Sequence, residues 1–519
     1  MKFFYSNKQH TCLLLCLLFI PIYAYSKTIN PLDYGLSNAK TGEERFWVLY
    51  RTHELANTKH WNVSYKGIEQ IELDIPSDAI PIPLSNYTDF CNTQFFVSNT
   101  KIKNYYLFEL SQQQCTVEVT KEMIDAGDFR NVRELSGGKK LLIIEDKNPW
   151  VVNRSGRNYG VFRRDVLLLR GGRAINKTIS PYNNDYSEPH CKYVVVSGGK
   201  KIFKNIIFHR TDNSCEKTFL LKVRNQNNVL LDGLKIITPD PITMVGDIAI
   251  MVENCTKVYF SNIKINGTYS LSNSFGYGIA LDNVWDSYFD NIESTCAWGV
   301  FGNNNVNTVH MKNSSVNRFD AHCYARDFSF FNCEFSLVGL NQSSFMGNLI
   351  FEQCTFNHAD VCDSRDDYNA YTPFTIIMKD CTLLMDRGHS FLVRLNEVPL
   401  DTNTRFELQK KYSPSIVISR SKVILDEQVS VFCLYQLGFS TSDNPFYHWG
   451  SIIVDNLGVV GDNKKMMFVN RNVNANNVVK IDLKEIEFSD INNKFSYING
   501  NGVNNNTKID VNINSSRGL

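Results

Sequence analysis

The chain has 519 residues, 43% of them hydrophobic, with 54 basic and 53 acidic side chains and a formal net charge of +1. So even a balance sets up no whole-protein field that would gather nucleic acid, and none is expected as a partner. The apolar content, with only 14 prolines and no long charge run, excludes a disordered chain.

In chain order, Lys2 and Lys8 precede an apolar run from Leu13 to Tyr23, and Ala24-Tyr25-Ser26 follows with small residues where a signal peptidase reads them. This pattern predicts a secretory signal peptide over residues 1–26. The run is shorter than the roughly 20 apolar residues of a membrane span, and no later segment is longer. The mature chain is therefore expected to be secreted (periplasmic, cell-surface or extracellular), with no integral membrane segment. Leu15 before Cys16 disfavours lipidation of that cysteine.

Thr41-Gly42-Glu43-Glu44 has the form of a capping box and leads into Phe46-Trp47-Val48-Leu49-Tyr50-Arg51-Thr52-His53-Glu54-Leu55, which predicts an amphipathic N-terminal helix. Its expected task is to cover the open apolar end and unpaired strand edge of the first coil. Residues 27–145 then read as a cap and irregular first coils or a small entry domain. They contain the alternating strands Ile68–Leu73, Gln94–Val97 and Tyr105–Leu110.

From about Tyr193 to Ile486 a short unit recurs: Asn205-Ile206-Ile207-Phe208, Asp232-Gly233-Leu234-Lys235, Asn262-Ile263-Lys264-Ile265, Asn291-Ile292-Glu293-Ser294, Lys312-Asn313-Ser314-Ser315, Asn332-Cys333-Glu334-Phe335, Gln353-Cys354-Thr355-Phe356 and Asp380-Cys381-Thr382-Leu383. A period of about two dozen residues suits one solenoid turn per unit. Within units, apolar residues alternate as in strands, as in Val258-Tyr259-Phe260-Ser261-Asn262-Ile263-Lys264-Ile265. Hairpin dipeptides are scarce, which argues against a sandwich or barrel, and the period is short for a propeller blade. The prediction is an all-β parallel β-helix over residues 146–490, ending in an Asn-rich C-terminal segment, 491–519. Cys333, Cys354 and Cys381 hold equivalent inward places, so a ladder of packed thiols is expected there instead of disulfides.

The apolar strand-and-turn pattern, the capping helix and the Asn and Cys ladders together resemble the pectate-lyase-like superfamily of right-handed parallel β-helices. That resemblance implies a right-handed solenoid, and the fold hosts lyases, hydrolases, tailspikes and adhesins alike.

With the repeat as a ruler, Gly278-Ile279-Ala280-Leu281-Asp282-Asn283 falls over Gly299-Val300-Phe301-Gly302-Asn303-Asn304, and that over Arg318-Phe319-Asp320-Ala321-His322-Cys323. Asn341-Gln342-Ser343 and then Arg365-Asp366-Asp367-Tyr368 continue the stack. Arg318, Asp320 and His322 alternate along one strand and so share a surface. Arg365, Asp367 and Tyr368 are expected two coils away, about 10 Å along the axis. The two segments also resemble an Arg-Phe-Asp-Ala-His and an Arg-x-Asp-Tyr element of bacterial and phage β-helix proteins.

A polysaccharide is the expected partner, cleaved at Arg318, Asp320, His322, Arg365, Asp367 and Tyr368. Hydrolysis needs two carboxylates, with Asp320 and Asp367 as the first pair and Asp327 or Asp282 as substitutes. Elimination needs a cationic clamp (Arg318, Arg365) and a base (His322 or Tyr368). Many relatives clamp with calcium, which Asp366 and Asp367 have the oxygens to ligate, though no metal site is assigned. The plainer reading makes Arg318 and Asp320 a structural ion pair. Tyr277, Asp282, Trp298, Asn303, Tyr324 and Asn341 are the expected substrate-binding residues, with Tyr371 as a further ring beside them. A noncatalytic glycan-binding, adhesin or tailspike-like protein, monomeric or trimeric, is the alternative.

Overall fold

The computed structural model describes residues 26–513 except 101, 103–104, 152–160, 179–187, 197–198, 211–217, 238–247, 267–276, 344, 366–373, 387–389, 397–410, 413, 430, 438–446, 449–450, 462–464, 471–478, 489–494 and 500–508. The expected signal peptide lies outside these residues apart from Ser26. Among the described residues no helix is long and apolar enough to cross a membrane.

The repeat is a coil of a parallel β-helix. Phe203, Leu231, Phe260, Phe289, Met311, Phe330, Phe351, Met378, Ile418 and Val454 are register partners in successive strands, all parallel. Each is at most 2% exposed, so one apolar column runs through ten coils. Burying each such side chain is worth about 1.5–3 kcal/mol, and the stack supplies that in every coil.

The first residue of most repeat units, and the second in those that begin at Asp232 and Lys312, turns the corner. Asn205, Asn262, Asn291, Asn313, Asn332, Gln353 and Asp380 all have φ between 50° and 60°, and Gly233 takes the equivalent place at 65°. Asn tolerates the left-handed region better than most residues, because its short amide bonds locally. Here the amides also bond along the axis: Asn291 Nδ2 donates to Asn262 Oδ1 at 2.8 Å and Asn332 Nδ2 to Asn313 Oδ1 at 2.9 Å. Asn254 and Asn283 repeat the pattern at a second corner, where Asn283 Nδ2 donates to Asn254 Oδ1 at 2.7 Å. Directly after the first corner, Cys333, Cys354 and Cys381 are buried and free, each thiol donating to backbone carbonyls.

Gly42–Lys59 is the expected helix, and its capping box is formed: Glu44 N donates to Thr41 Oγ1 and Thr41 N to Glu44 Oε2, both at 3.1 Å. It buries Phe46, Leu49 and Ala56 against the first strands. Gly42 is required by close approach, since a Cβ there would stand 2.4 Å from an Asp74 carboxylate oxygen.

One unit has no counterpart in the repeat. Residues 115–195 contribute a separate five-stranded antiparallel sheet with its own core of Val117, Ile124, Phe129, Leu135, Leu142, Ile144, Leu167, Leu169 and Cys191. The solenoid is continuous beneath it: Tyr87–Thr100 pairs with Lys201–Arg210 and Tyr105–Ser111 with Thr218–Arg224. The strands near 63–111 are therefore coils, and the division expected at 145/146 falls inside the strand Lys139–Val151. Leu141, Ile143, Val166 and Val194 on the other face of the insertion pack with Trp285 of the solenoid.

Candidate functional site

The strand Ser315–Cys323 alternates Phe319 and Ala321 into the core with Arg318, Asp320 and His322 on the other face. Asp320 is nonetheless 0% exposed. Tyr277, from a strand 43 residues earlier, lies over it and donates its hydroxyl to Asp320 Oδ2. Arg318 Nη2 donates to the same carboxylate oxygen and to the Tyr277 hydroxyl oxygen, each at 2.9 Å. His322 Nε2 stands 3.6 Å from Asp320 Oδ2.

Burial, followed by the Asp320 carboxylate, raises the Tyr277 phenol, which keeps it a proton donor. Burial opposes the charge on Arg318, but Asp320 and Tyr277 outweigh it and the guanidinium stays charged. The cluster thus holds an ion pair whose carboxylate is closed off while Arg318 and His322 keep side-chain exposures of 16% and 13%.

Register extends this site along the axis. Asp320 pairs with Asn341, Asn341 with Asp363, Asp363 with Arg394 and Arg394 with Gln436. Two coils beyond Asp320 the acid in its column is therefore Asp363, while the expected Asp367 lies outside the described residues. The expectation matched residue types instead of counting each coil step. The coil steps give the answer, because Asp320, Asn341 and Asp363 are 21 and 22 residues apart. Arg394 Nη2 donates to Asp363 Oδ2 at 2.8 Å and approaches Asp360 at 3.9 Å. Asp363 and Arg394 had escaped notice because neither belongs to a short motif.

Asp282 occupies the neighbouring position on earlier coils, over Glu253 and accepting hydrogen bonds from Asn304 and Asn303. Arg164 of the insertion reaches it, with Nη1 3.2 Å from Asp282 Oδ2. Burial raises the Asp282 carboxyl, Arg164 opposes this and Glu253 adds to it.

The remaining expected residues divide. Tyr324 takes a corner at φ 55° and is 2% exposed, so its ring offers no face to a sugar and that expected role is withdrawn. Tyr277 is 9% exposed and covers Asp320 instead of presenting a platform. Asn303 is half-buried and Asn341 is 5% exposed. Asp327 accepts from Asn348 N at another corner, away from Asp320's column. Arg365 ends the strand Asp360–Arg365, opposite Asn396; its side chain and that of Trp298 lie outside the described residues, as do Asp366, Asp367, Tyr368 and Tyr371. Among the described residues no group of three or more His, Cys, Asp and Glu is placed to hold a metal ion.

The structure is similar to three phage tailspikes. Tailspike protein gp49 from Pseudomonas phage LKA1 matches with a TM-score of 0.58 and 15% identity, covering 93% of this chain and 84% of that one. Tailspike gp61 of Pseudomonas phage phi297 matches at 0.51 and 11%, covering 90% and 81%. The gp54 tailspike of Acinetobacter baumannii bacteriophage AP22, solved in complex with A. baumannii capsular saccharide, matches at 0.50 and 13%, covering 90% and 79%. No family model and no curated protein matches the sequence. The fold is thus the parallel β-helix that these tailspikes share.

Proposed function

We propose that this protein binds a polysaccharide laid along the strip from Asp282 through His322 and Arg318 to Asp363 and Arg394. The observation that carries the reading is the column of polar side chains Asp320, Asn341, Asp363 and Arg394, one per coil. Rungs repeat at about 4.8 Å, and the groups along this column that reach the surface, Arg318 and His322 at one level and Arg394 further along, are placed to meet an extended glycan parallel to the axis. The saccharide bound by the AP22 tailspike supports the same chemistry on the same fold.

Cleavage is the second part of the proposal. Asp363 stands two rungs from Asp320, about 9.6 Å by strand spacing, near the separation of inverting glycosidases. Asp320 itself is covered by Tyr277, so a hydrolytic reaction draws on Asp363 with Asp367, or on Asp282. An elimination keeps Arg318 and Arg365 as the clamp, with His322 or Tyr368 as base. A purified mature chain, exported and free of its leader, is incubated with neutral and acidic glycans while reducing ends and unsaturated uronates are followed. Reducing ends alone identify hydrolysis; unsaturated product identifies elimination. Binding without either product leaves a glycan-binding surface protein, and no binding to any glycan overturns the proposal.

A further inference from the structure

The insertion does more than decorate the solenoid. Between its sheet and the corner of the early coils lies a cleft of about 260 Å³ lined by Gln114, Ile143, Glu145, Arg164, His190, Lys192, Arg224, Glu253, Asn254 and Asp282. Cavities for drug-sized ligands span about 300–1,000 Å³, so this one suits a single sugar residue.

Its charges are distributed unevenly. Arg164 is bound on both sides, by Glu145 at 3.0 Å and Asp282 at 3.2 Å. Glu253 is held by Arg224 Nε at 2.8 Å and by Lys222 at 3.2 Å. Arg224 remains 41% exposed. His190 and Lys192 alternate on one strand, opposite the buried Cys191, and therefore face the solenoid. Among the described residues neither side chain makes a hydrogen bond or ion pair to the protein.

We propose that this cleft holds one carboxylate-bearing sugar residue of the bound glycan, its carboxylate at Lys192, His190 and Arg224 and its hydroxyls donating to Glu253, Asp282 and Glu145. A neutral sugar leaves Lys192 without a counter-charge. A bare inorganic anion meets three carboxylates that repel it, while sugar hydroxyls turn those same groups into acceptors. Asp282, where the strip begins, also lines the cleft, which puts the acidic residue recognised here next to the glycan placed there. The inference rests on that reading of the strip.

Calorimetric titration of the intact mature protein with D-glucuronate, D-galacturonate, D-glucose, D-galactose and sodium sulfate tests it. At least one uronate is expected to bind tenfold or more tightly than its neutral counterpart, and sulfate is expected not to compete. Lys192→Ala, and Lys192→Ala with His190→Ala, should abolish that preference with the thermal midpoint and circular dichroism unchanged, since among the described residues neither side chain has a bonding partner. Equal binding of acidic and neutral sugars overturns the inference, as does a preference that survives in the double variant. Competition by sulfate also overturns it, because a general anion site then explains the data. Uronate binding without any glycan bound along the strip overturns the proposed function and leaves the cleft assignment standing; glycan binding without uronate preference does the reverse.

Discussion

Replacing Asp320 by Leu removes the acid of a three-way cluster and leaves Arg318 and Tyr277 in place. Breaking one partner of a buried ion pair costs about 3–5 kcal/mol, because the other charge is left desolvated. Arg318 keeps 16% exposure and a 2.9 Å bond to the Tyr277 oxygen, which places the expected loss near the lower figure, about 3 kcal/mol. Tyr277→Phe removes two hydrogen bonds to charged groups, the one donated to Asp320 and the one accepted from Arg318, and should cost about 3 kcal/mol or more. Arg318→Met with Asp320→Leu removes both charges and is expected within about 1 kcal/mol of the parent, giving a coupling of about 2 kcal/mol or more. Equilibrium urea unfolding followed by circular dichroism gives the energies. Hydrogen exchange over 315–342 reports the same loss locally, since a coil couples chiefly to its neighbours. If Asp320→Leu is no less stable than the parent, or the two charge removals simply add, the cluster is not a coupled buried pair and the assignment of Asp320 as an anchor for Arg318 fails.

Two further outcomes test the scaffold. Asn291→Ala keeps a Cβ at φ 58° without the amide that favours that conformation and deletes the bond to Asn262, for a loss of about 1–2 kcal/mol; Asn291→Gly frees the backbone and should lose less than half of that in the same urea assay. His53 is fully buried beside the Tyr65 hydroxyl at 2.8 Å, and burial lowers its pKa to about 3. The unfolded chain therefore binds the proton more readily than the folded one, so this group leaves stability level above about pH 6.5 and erodes it as pH falls from there toward 3, by up to about 4–5 kcal/mol. A His53→Gln variant whose urea midpoint shows the same acid dependence as the parent would remove His53 as its source.

The solenoid was legible because its signal is repeated. Each of the units from Asn205 to Asp380 carries the same polar corner and inward apolar residue, and an error in one is corrected by its neighbours. The capping helix was legible from four residues, Thr41 to Glu44, because the capping box is local chemistry. The insertion was not, since runs such as Leu141-Leu142-Ile143-Ile144 are apolar on both faces of a sheet buried twice and have no periodicity to set them apart from coils. The site was half legible. Strand alternation brought Arg318, Asp320 and His322 together, but coils of unequal length make register accumulate error, and Asp363 emerges only when each step is counted separately.

Burial of Asp320 does not follow from its own strand. Alternation says only which face a side chain occupies; it says nothing of what lies over it, and here the cover is Tyr277 from two coils earlier in the chain. That cover divides the labour of the cluster. The acid is closed off at 0% exposure and fixes Arg318, while the groups left to meet a ligand are Arg318 and His322 at one point of the strip and Arg394, 40% exposed, further along. A glycan on this strip therefore meets cations held by buried or half-buried carboxylates, an arrangement suited to gripping an acidic chain. Hydrolysis, unlike elimination, requires in addition an accessible carboxyl, and Asp363 is 10% exposed and bound to Arg394.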